Sequence, residues 1–308
     1  MTGLLVVGEG MVEFKQSENG QLMQKFAGDT LNAGIYAKRW SPNTQVGYFS
    51  ALGSDMFSDK MREYLASENI SADAVYQTDS ANIGIYAIQT DEHGERSFTY
   101  WRKDSAATQM VDLLLAAGGA DQLPAADIIF FSGISLAILS DENKGRLLDI
   151  LAQAKANGSK IAFDPNYRPR MWRDQSHAIE WIEKAYKLSD IALPGLDEHQ
   201  DLFEQQTVEA VKNYMLQLGV SEFVIKAGKQ GVYGYTAEHS ACHVPFNPAP
   251  KQLDSTAAGD SFAGTYLVSR VNGQSVLSAI ENADKVAREV VQHPGAIMDI
   301  ELYNKAFK

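Results

Sequence analysis

Cysteine, basic residues and long apolar runs are all scarce in this sequence. Cys242 is the one cysteine among 308 residues, so no internal disulfide can form, and we expect a reducing compartment, the cytoplasm. No stretch approaches the roughly 20 apolar residues that a membrane-spanning helix needs, and the first residues lack the basic region of a signal peptide. Lys and Arg total 27 against 39 Asp and Glu, a formal net charge of -12, so nothing favours binding to nucleic acid or to anionic membranes.

Several common catalytic motifs are also missing. The chain has neither a G-x-x-x-x-G-K-[ST] phosphate loop nor a G-x-S-x-G nucleophile elbow. His239 and His243 lie on either side of Cys242, but no further Cys or His pair completes a zinc pattern, so we interpret both as surface or strand histidines. Any nucleotide or phosphate site must therefore be built in another way.

Short apolar runs alternate with amphipathic segments along the chain. The runs predict strands at residues 4–7, 46–51, 128–132, 161–164, 191–193 and 223–227, and the segments predict helices at 29–40, 55–68 and 141–157, with further helical patterns between the later strands. Because buried strands that alternate with helices form parallel sheets, we predict one α/β domain over residues 1–308. Its central, mostly parallel sheet would be flanked by helices on both faces.

Two hairpins interrupt this alternation. Residues 12–15 and 22–26 flank Asn19-Gly20, and residues 84–90 and 97–102 flank a polar turn that contains Gly94. Such hairpins predict a small sheet outside the main one, a lid formed by about residues 11–26 and 82–102. The alternative is an edge extension of the main sheet, and the periodicity does not decide between them.

The strongest chemical pattern is the run DSTAAGDSF at residues 254–262, followed by a helical pattern through Val271. Small residues before a helix let backbone N–H groups approach a ligand, and the helix N-terminus favours an anion such as phosphate. A carboxylate inside such a site, here Asp260, is suited to take a proton from an attacking hydroxyl. Capping of the helix is an equally good interpretation of Asp260 from these residues alone.

Three weaker patterns follow other predicted strands or begin a helix. The run KAGKQG at 226–231 fits a nucleotide loop, although a plain strand–turn–strand is favoured. The run NYRPRMW at 166–172 carries two arginines that suit a carboxylate or phosphate, and the alternative is that both are simply solvated. The run GDTLN at 28–32 could bind sugar hydroxyls, although helix capping by Asp29 or Asn32 is favoured.

Together these segments resemble the ribokinase (PfkB) family of carbohydrate kinases, in the family's order and over nearly the whole chain. The resemblance rests on Gly8-Glu9, residues 28–32, Gly53-Ser54-Asp55 and residues 254–260. It implies a ribokinase-like α/β fold with a β-sheet lid, and it favours Asp260 as the general base. In two places the chain departs from the family: Ala257 stands where Gly is usual, and Gly195 stands where many members have Asn.

Within the family the chain looks most like bacterial kinases of 2-keto-3-deoxygluconate. The similarity lies in residues 28–32, Tyr86, residues 99–102, residues 132–140, residues 166–172 and residues 256–260. It implies transfer of a phosphoryl group from ATP, with Mg²⁺, to a sugar acid. A kinase of a neutral sugar, such as fructose, and a non-catalytic sugar-binding protein of the same fold are the alternatives.

The resemblance implies a role for each candidate residue. The sugar acid is expected at Gly28, Asp29, Asn32, Tyr86, Tyr100, Arg102, Arg168 and Asp260, with the two arginines on its carboxylate. ATP is expected at Asn166, Arg168, Lys226, Gly228, Gly231, Ala258 and Gly259. The N–H groups of Ala257, Ala258 and Gly259 would form the anion hole, and Glu198 would act indirectly on Mg²⁺. The sequence leaves open a monovalent cation near Asp254, the gluco or galacto configuration of the sugar, and the symmetry of an expected homo-oligomer.

Overall fold

The computed structural model describes residues 3–16, 20–90, 96–236 and 241–308. Its strands, in chain order, are β1 (Gly3–Val7), β2 (Met11–Gln16), β3 (Leu22–Ala27), β4 (Gln45–Leu52), β5 (Ser71–Gln77), β6 (Gly84–Thr90), β7 (Arg96–Trp101), β8 (Ile128–Ser132), β9 (Lys160–Asp164), β10 (Ile191–Ala192), β11 (Glu222–Lys226), β12 (Val232–Thr236) and β13 (Ala241–Val244). Its helices are α1 (Asp29–Trp40), α2 (Met56–Ser67), α3 (Met110–Ala116), α4 (Gly133–Ala137), α5 (Asp141–Ala156), α6 (Gln175–Leu188), α7 (Leu196–Phe203), α8 (Val208–Gln217), α9 (Ala258–Val271), α10 (Val276–Val290) and α11 (Ile300–Phe307).

The large sheet confirms the predicted fold class. Over the described residues its nine strands run in the order β13-β12-β11-β10-β9-β8-β1-β4-β5. All neighbours from β11 to β5 pair in parallel, and β12 and β13 add an antiparallel edge. The predicted strands and helices agree with the structure to within a residue or two at their ends. The sequence patterns did not show β5, a half-exposed edge strand, or the helices α10 and α11.

Each face of the large sheet carries its own apolar core. In β1, Leu5 and Val7 point to one core, whereas Leu4 and Val6 point to the other, as the two-residue period of a strand requires. Helices α3, α5, α6, α7 and α8 cover the first face, and α1, α9 and α10 cover the second. Because both faces are covered, the strand is apolar throughout, which explains its uninterrupted hydrophobic run.

The two predicted hairpins form a separate small sheet in the order β3-β2-β6-β7. Each hairpin is antiparallel, and β2 and β6 join them by parallel pairing. The sheet therefore stands outside the main layer, and the edge-extension alternative is wrong. Residues 17–19 and 91–95, which include the predicted turns at Asn19 and Gly94, lie outside the described residues, as does His239.

A close contact between α1 and α9 sets the geometry of the site. Gly264 makes this approach possible, because a Cβ at that position would lie 1.9 Å from the carbonyl oxygen of Ala33. The two helices begin near the carboxyl ends of the parallel strands, the edge at which open α/β sheets bind their ligands. None of the helices in the described ranges is long and apolar enough to cross a membrane.

Candidate active site

The turn before α9 has the features of an anion site. Asp254 is buried and fixes the turn, since its Oδ1 accepts the N–H of Thr256 at 2.9 Å and its Oδ2 accepts that of Gly295 at 2.9 Å. The N–H groups of Ala257 and Gly259 find no acceptor within the described part of the chain, whereas that of Ala258 donates to Ser255 at 3.2 Å. A Cβ at Gly259 would meet nothing within 4 Å, so the turn opens onto free space. These features fit a bound phosphate.

Ala257, one of the two departures from the family pattern, has left-handed backbone dihedrals, with φ 59° and ψ 15°. This conformation costs an alanine about 1 kcal/mol relative to glycine. Its methyl group packs against a small apolar cluster made mainly by the small sheet, whose members are Met11, Ala27, Tyr86, Ile88 and Ala296. Burying a methyl group contributes about 0.8 kcal/mol, which largely offsets the strain. The contact ties the anion-binding turn to the small sheet.

Asp260 lies in the first turn of α9 and accepts a hydrogen bond from Nδ2 of Asn32, at 2.8 Å to Oδ2. Asn32 is buried, and its own Oδ1 accepts the N–H of Gly28 at 3.4 Å. Neither Asp29 nor Asn32 caps α1, and Asp260 does not cap α9, so the capping interpretations are wrong. All of these side chains face the site instead.

Several charges act on Asp260. Burial, together with the carboxylates of Asp29 and Asp164, raises the pKa of its carboxyl to about 7, and Asn32 and the guanidinium of Arg168 oppose this shift. A carboxyl that titrates near neutrality can both accept and release a proton at working pH. This is the property that a general base for a hydroxyl needs.

The loop after β9 lies next to α1. Asn166 donates from Nδ2 to Oδ2 of Asp29 at 2.9 Å, and its own N–H donates to Asp164 at 3.1 Å. Arg168 is exposed and donates to the carbonyl oxygen of Tyr167 at 3.1 Å, so its charge is available to a ligand. Asn166 thus lies beside Asp29 and Asp164, and its predicted contact with ATP remains a prediction.

Asp164 is a site residue that the sequence patterns did not reveal. It ends β9, it is 6% exposed, and its Oδ2 accepts Nζ of Lys226 at 2.7 Å. Burial alone would lower the pKa of Lys226, but Asp164 and Glu198 raise it above its usual value, so the ammonium stays charged. The signal available was positional, because an Asp that ends a parallel strand and precedes Pro165 lies at the ligand-binding edge.

Glu198 is held by backbone donors. Its Oε1 accepts the N–H of Tyr167 at 2.9 Å and its Oε2 accepts that of Gly195 at 3.0 Å. Burial raises the pKa of Glu198 to about 7, Lys226 opposes the shift and Asp164 adds to it. Within the described ranges no group of three or more His, Cys, Asp or Glu side chains is suited to hold a metal. Mg²⁺ bound mainly by phosphates and waters needs no such group, so Glu198 fits an indirect role.

A cavity of about 200 Å³ lies beside the anion-binding turn. The predicted ATP residues Lys226, Gly228, Gly231, Ala258 and Gly259 all line it, together with Ala227, Val232, Val244, Pro245, Phe246, Phe262, Asp284 and Ala287. Gly228 and Gly231 have positive φ angles of 54° and 87°, so the backbone turn here requires glycine. A larger cavity of about 560 Å³, around Glu222 and Arg270, lies at the opposite edge of the sheet and contains none of these groups.

The small sheet presents aromatic and charged side chains to the same region. Tyr86 stacks on Tyr100 with ring centroids 5.7 Å apart, and its hydroxyl donates to Glu13. Arg102, directly after β7, does not have a free charge: Nη2 lies 2.5 Å from Oε2 of Glu9. Glu9 and Glu13 are therefore further residues of this region that were not predicted as site residues.

An anion-binding turn beside a carboxyl that titrates near neutrality is the arrangement of an enzyme that transfers a phosphoryl group to a hydroxyl. The profile of the family described as "pfkB family carbohydrate kinase" matches residues 1–302. A 2-dehydro-3-deoxygluconokinase of Dickeya dadantii is 37% identical over 302 residues, covering 97% of each chain. One of Escherichia coli K12 is 36% identical with the same coverage. The chain belongs to the pfkB family of carbohydrate kinases.

The fold is also found in solved structures. A putative ribokinase II of E. coli, solved in complex with ATP and Mg²⁺, superposes with a TM-score of 0.80 at 23% identity and covers 99% of each chain. This agreement confirms the predicted ribokinase-like architecture of a mostly parallel sheet with a small second sheet.

Proposed function

We propose that this enzyme phosphorylates 2-keto-3-deoxygluconate to 2-keto-3-deoxy-6-phosphogluconate, with ATP as the phosphoryl donor. The observation that carries the proposal is the position of Asp260, hydrogen-bonded to Asn32 and two residues after the N–H group of Ala258. The substrate is that of the two 2-dehydro-3-deoxygluconokinases, which match this chain along 97% of its length. Use of ATP fits the cytoplasm expected from the sequence.

In the proposed reaction, Asp260 accepts the proton of the primary hydroxyl as the hydroxyl oxygen attacks the γ-phosphorus of ATP. The bond from that phosphorus to the bridging oxygen breaks, and ADP leaves with the electron pair. The free N–H groups of Ala257 and Gly259 stabilise charge on the transferring group. Most of the catalysis comes from this positioning and electrostatic stabilisation.

Mg²⁺, when bound, would neutralise charge on the ATP phosphates. Lys226 and Asp164 form a buried ion pair beside the cavity next to the turn, and Glu198 lies within the field of both. Glu198 already accepts two backbone N–H groups, so it would act on the ion through water.

The sugar acid would lie between the start of α1 and the small sheet. Its hydroxyls would meet Gly28, directly before α1, and the side chains of Asp29 and Asn32 in the first turns of α1. The small sheet would act as a lid and exclude water, which competes as an acceptor. Tyr86, Tyr100, Arg102 and Arg168 would orient the substrate, and the two arginines would hold the carboxylate.

A substrate panel tests this proposal. ADP release is measured with ATP, Mg²⁺ and 2-keto-3-deoxygluconate, beside fructose, ribose and gluconate. We expect turnover with the keto-deoxy acid alone. Turnover with fructose instead would refute the carboxylate assignment and favour a neutral-sugar kinase, while no turnover with any of the four sugars would favour a protein that only binds sugar.

Arg102→Ala tests the carboxylate contact. We expect KM for the sugar acid to rise at least tenfold while KM for ATP changes less than twofold, because Arg102 lies on the small sheet and not in the cavity beside the turn. The change leaves Glu9 buried without its cation, so the double variant Glu9→Gln/Arg102→Ala serves as the control for stability. Equal loss for both ligands in the double variant would contradict the assignment.

We also propose that the small sheet joins two copies of the chain. Large apolar side chains are exposed on it, at Leu22, Met23, Phe98, Tyr100 and Trp101. These side chains lie on the two edge strands, β3 and β7, and large apolar groups left exposed in this way favour a contact surface. Light scattering should give the mass of a dimer or larger assembly, and Trp101→Ser should lower it. A monomeric wild type would refute this part of the proposal.

A further inference from the structure

A buried ion pair joins Glu9, two residues after β1, to Arg102, directly after β7. Oε2 of Glu9 lies 2.5 Å from Nη2 of Arg102, and the side chains are 1% and 13% exposed. Ser105 donates to the other oxygen of Glu9 at 2.5 Å. Gly84 leaves room for this carboxylate, because a Cβ there would lie 2.5 Å from Oε1 of Glu9. The chain therefore places a carboxylate against the arginine that we assign to the sugar acid.

Arg102 nevertheless keeps donors without an acceptor. The N–H group of Nε is buried and makes no hydrogen bond to any described residue, whereas Nη2, which carries two N–H groups, lies 2.5 Å from Oε2 of Glu9. These two atoms form the guanidinium edge that takes a carboxylate in bidentate geometry. An unsatisfied buried donor is costly, so this edge is suited to a ligand. A carboxylate bound there would share Nη2 with Glu9.

The charges around Glu9 decide what such a ligand would do. Burial raises the pKa of Glu9, Arg102 and Ser105 oppose the shift, and Asp29 from α1 adds to it. Tyr48 from β4 also faces it. Arg102 is thus the cation that opposes the rise in the pKa of Glu9. A second carboxylate on Arg102 would place two negative charges against one cation in a buried site, which favours protonation of one of them.

We propose that Glu9 is a positioning residue that acts on the sugar acid through Arg102 and takes up a proton from solvent when the substrate carboxylate binds. In the free enzyme the Glu9 carboxylate holds the guanidinium in place. In the complex the substrate carboxylate replaces its charge, and Glu9 becomes neutral. This inference rests on the proposed function, because it requires a substrate that carries a carboxylate.

Proton uptake is measured by titration calorimetry of 2-keto-3-deoxygluconate at pH 7.5 in two buffers with different ionisation enthalpies. We expect uptake approaching one proton in the wild type and none in Glu9→Gln, which mimics the protonated form. The wild-type Kd should weaken with rising pH, by up to about tenfold per unit, whereas the Kd of Glu9→Gln should stay constant. The matched control is Glu222→Gln, which alters a buried Glu–Arg pair with Arg270 at the opposite edge of the sheet and should behave as the wild type.

Equal uptake in the wild type and in Glu9→Gln would overturn the inference. If Glu9→Gln does not fold, Ser105→Ala replaces it: loss of the donor favours neutral Glu9 in the free enzyme, so uptake at the same pH should fall. Unchanged uptake in Ser105→Ala would refute the inference equally. Failure of the wild type to release ADP with the sugar acid would refute the proposed substrate, whereas turnover with equal uptake would refute the role of Glu9 alone.

Discussion

Asp260→Asn should affect activity and stability in opposite directions. The amide can still accept the hydrogen bond from Asn32, so the geometry of the site is kept. It cannot accept a proton, and loss of a general base lowers the rate by roughly 10²- to 10⁴-fold, which corresponds to about 3–5 kcal/mol of transition-state stabilisation. KM for the sugar acid should change little. In the wild type, kcat should rise with pH and level off above about pH 7, where Asp260 is ionised.

The effect on stability follows from the pKa of the same group. Folding raises the pKa of Asp260 from 3.8 to about 7. A raised carboxyl pKa means that stability is fully present below about pH 4 and is lost as the pH rises to about 7, because the unfolded chain ionises first. Each unit of pKa difference corresponds to about 1.4 kcal/mol, so ionisation of Asp260 lowers the free energy of unfolding by about 4 kcal/mol at most. Because the residue is partly exposed, the expected loss is about 2–4 kcal/mol. Asn cannot ionise, so the variant escapes this penalty.

Denaturant unfolding at pH 4 and pH 8, beside steady-state kinetics, measures both effects. Asp260→Asn should unfold like the wild type at pH 4 and be more stable at pH 8. Asp55→Asn is the contrasting variant: burial opposes ionisation of Asp55, but hydrogen bonds from Ser58, Ile83 and Phe57 lower its pKa. Its loss of stability should therefore be similar at pH 8 and at pH 4, because the stabilisation by the ionised carboxylate is lost only as the pH falls below about 3.8. Near-normal kcat in Asp260→Asn would show that Asp260 is not the base. Equal destabilisation by Asp260→Asn at pH 4 and pH 8 would refute the argument that burial raises the pKa of Asp260.

Two further variants test the elements around the turn. Ala257→Gly should change the free energy of unfolding by less than about 1 kcal/mol, because relief of backbone strain offsets the lost methyl contact. It should nevertheless lower kcat several-fold, because the turn becomes less rigid. An unchanged kcat would show that the contact with the small sheet has no role in catalysis. Lys226→Met should lower the free energy of unfolding in urea by about 3 kcal/mol, because Asp164 is left buried without its cation. It should also raise KM for ATP. A variant with wild-type stability and normal KM would show that this ion pair is not important.

Local pattern was sufficient for most elements of the fold. Strands such as β8 and helices such as α1 were predicted at their observed bounds, because apolar periodicity reflects which faces are buried. The turn before α9 could also be proposed as an anion site, since small residues, a fixed spacing and a helix start are all contiguous in residues 254–262. Edge strand β5 was missed because its half-exposed residues lack a clean alternation.

The contacts between distant residues were decided by the tertiary structure. Asn32 meets Asp260 across 228 residues, and Asp164 meets Lys226 across 62. Likewise, no sequence pattern near Arg102 predicts its ion pair with Glu9. A sequence shows which residues can carry charge, but burial and the nearest opposite charge set each pKa, and both exist only once the chain has folded. That is why a role for Asp260 as a base could be proposed from its motif, whereas the charge that Arg102 can offer to a ligand depends on Glu9, two residues after β1.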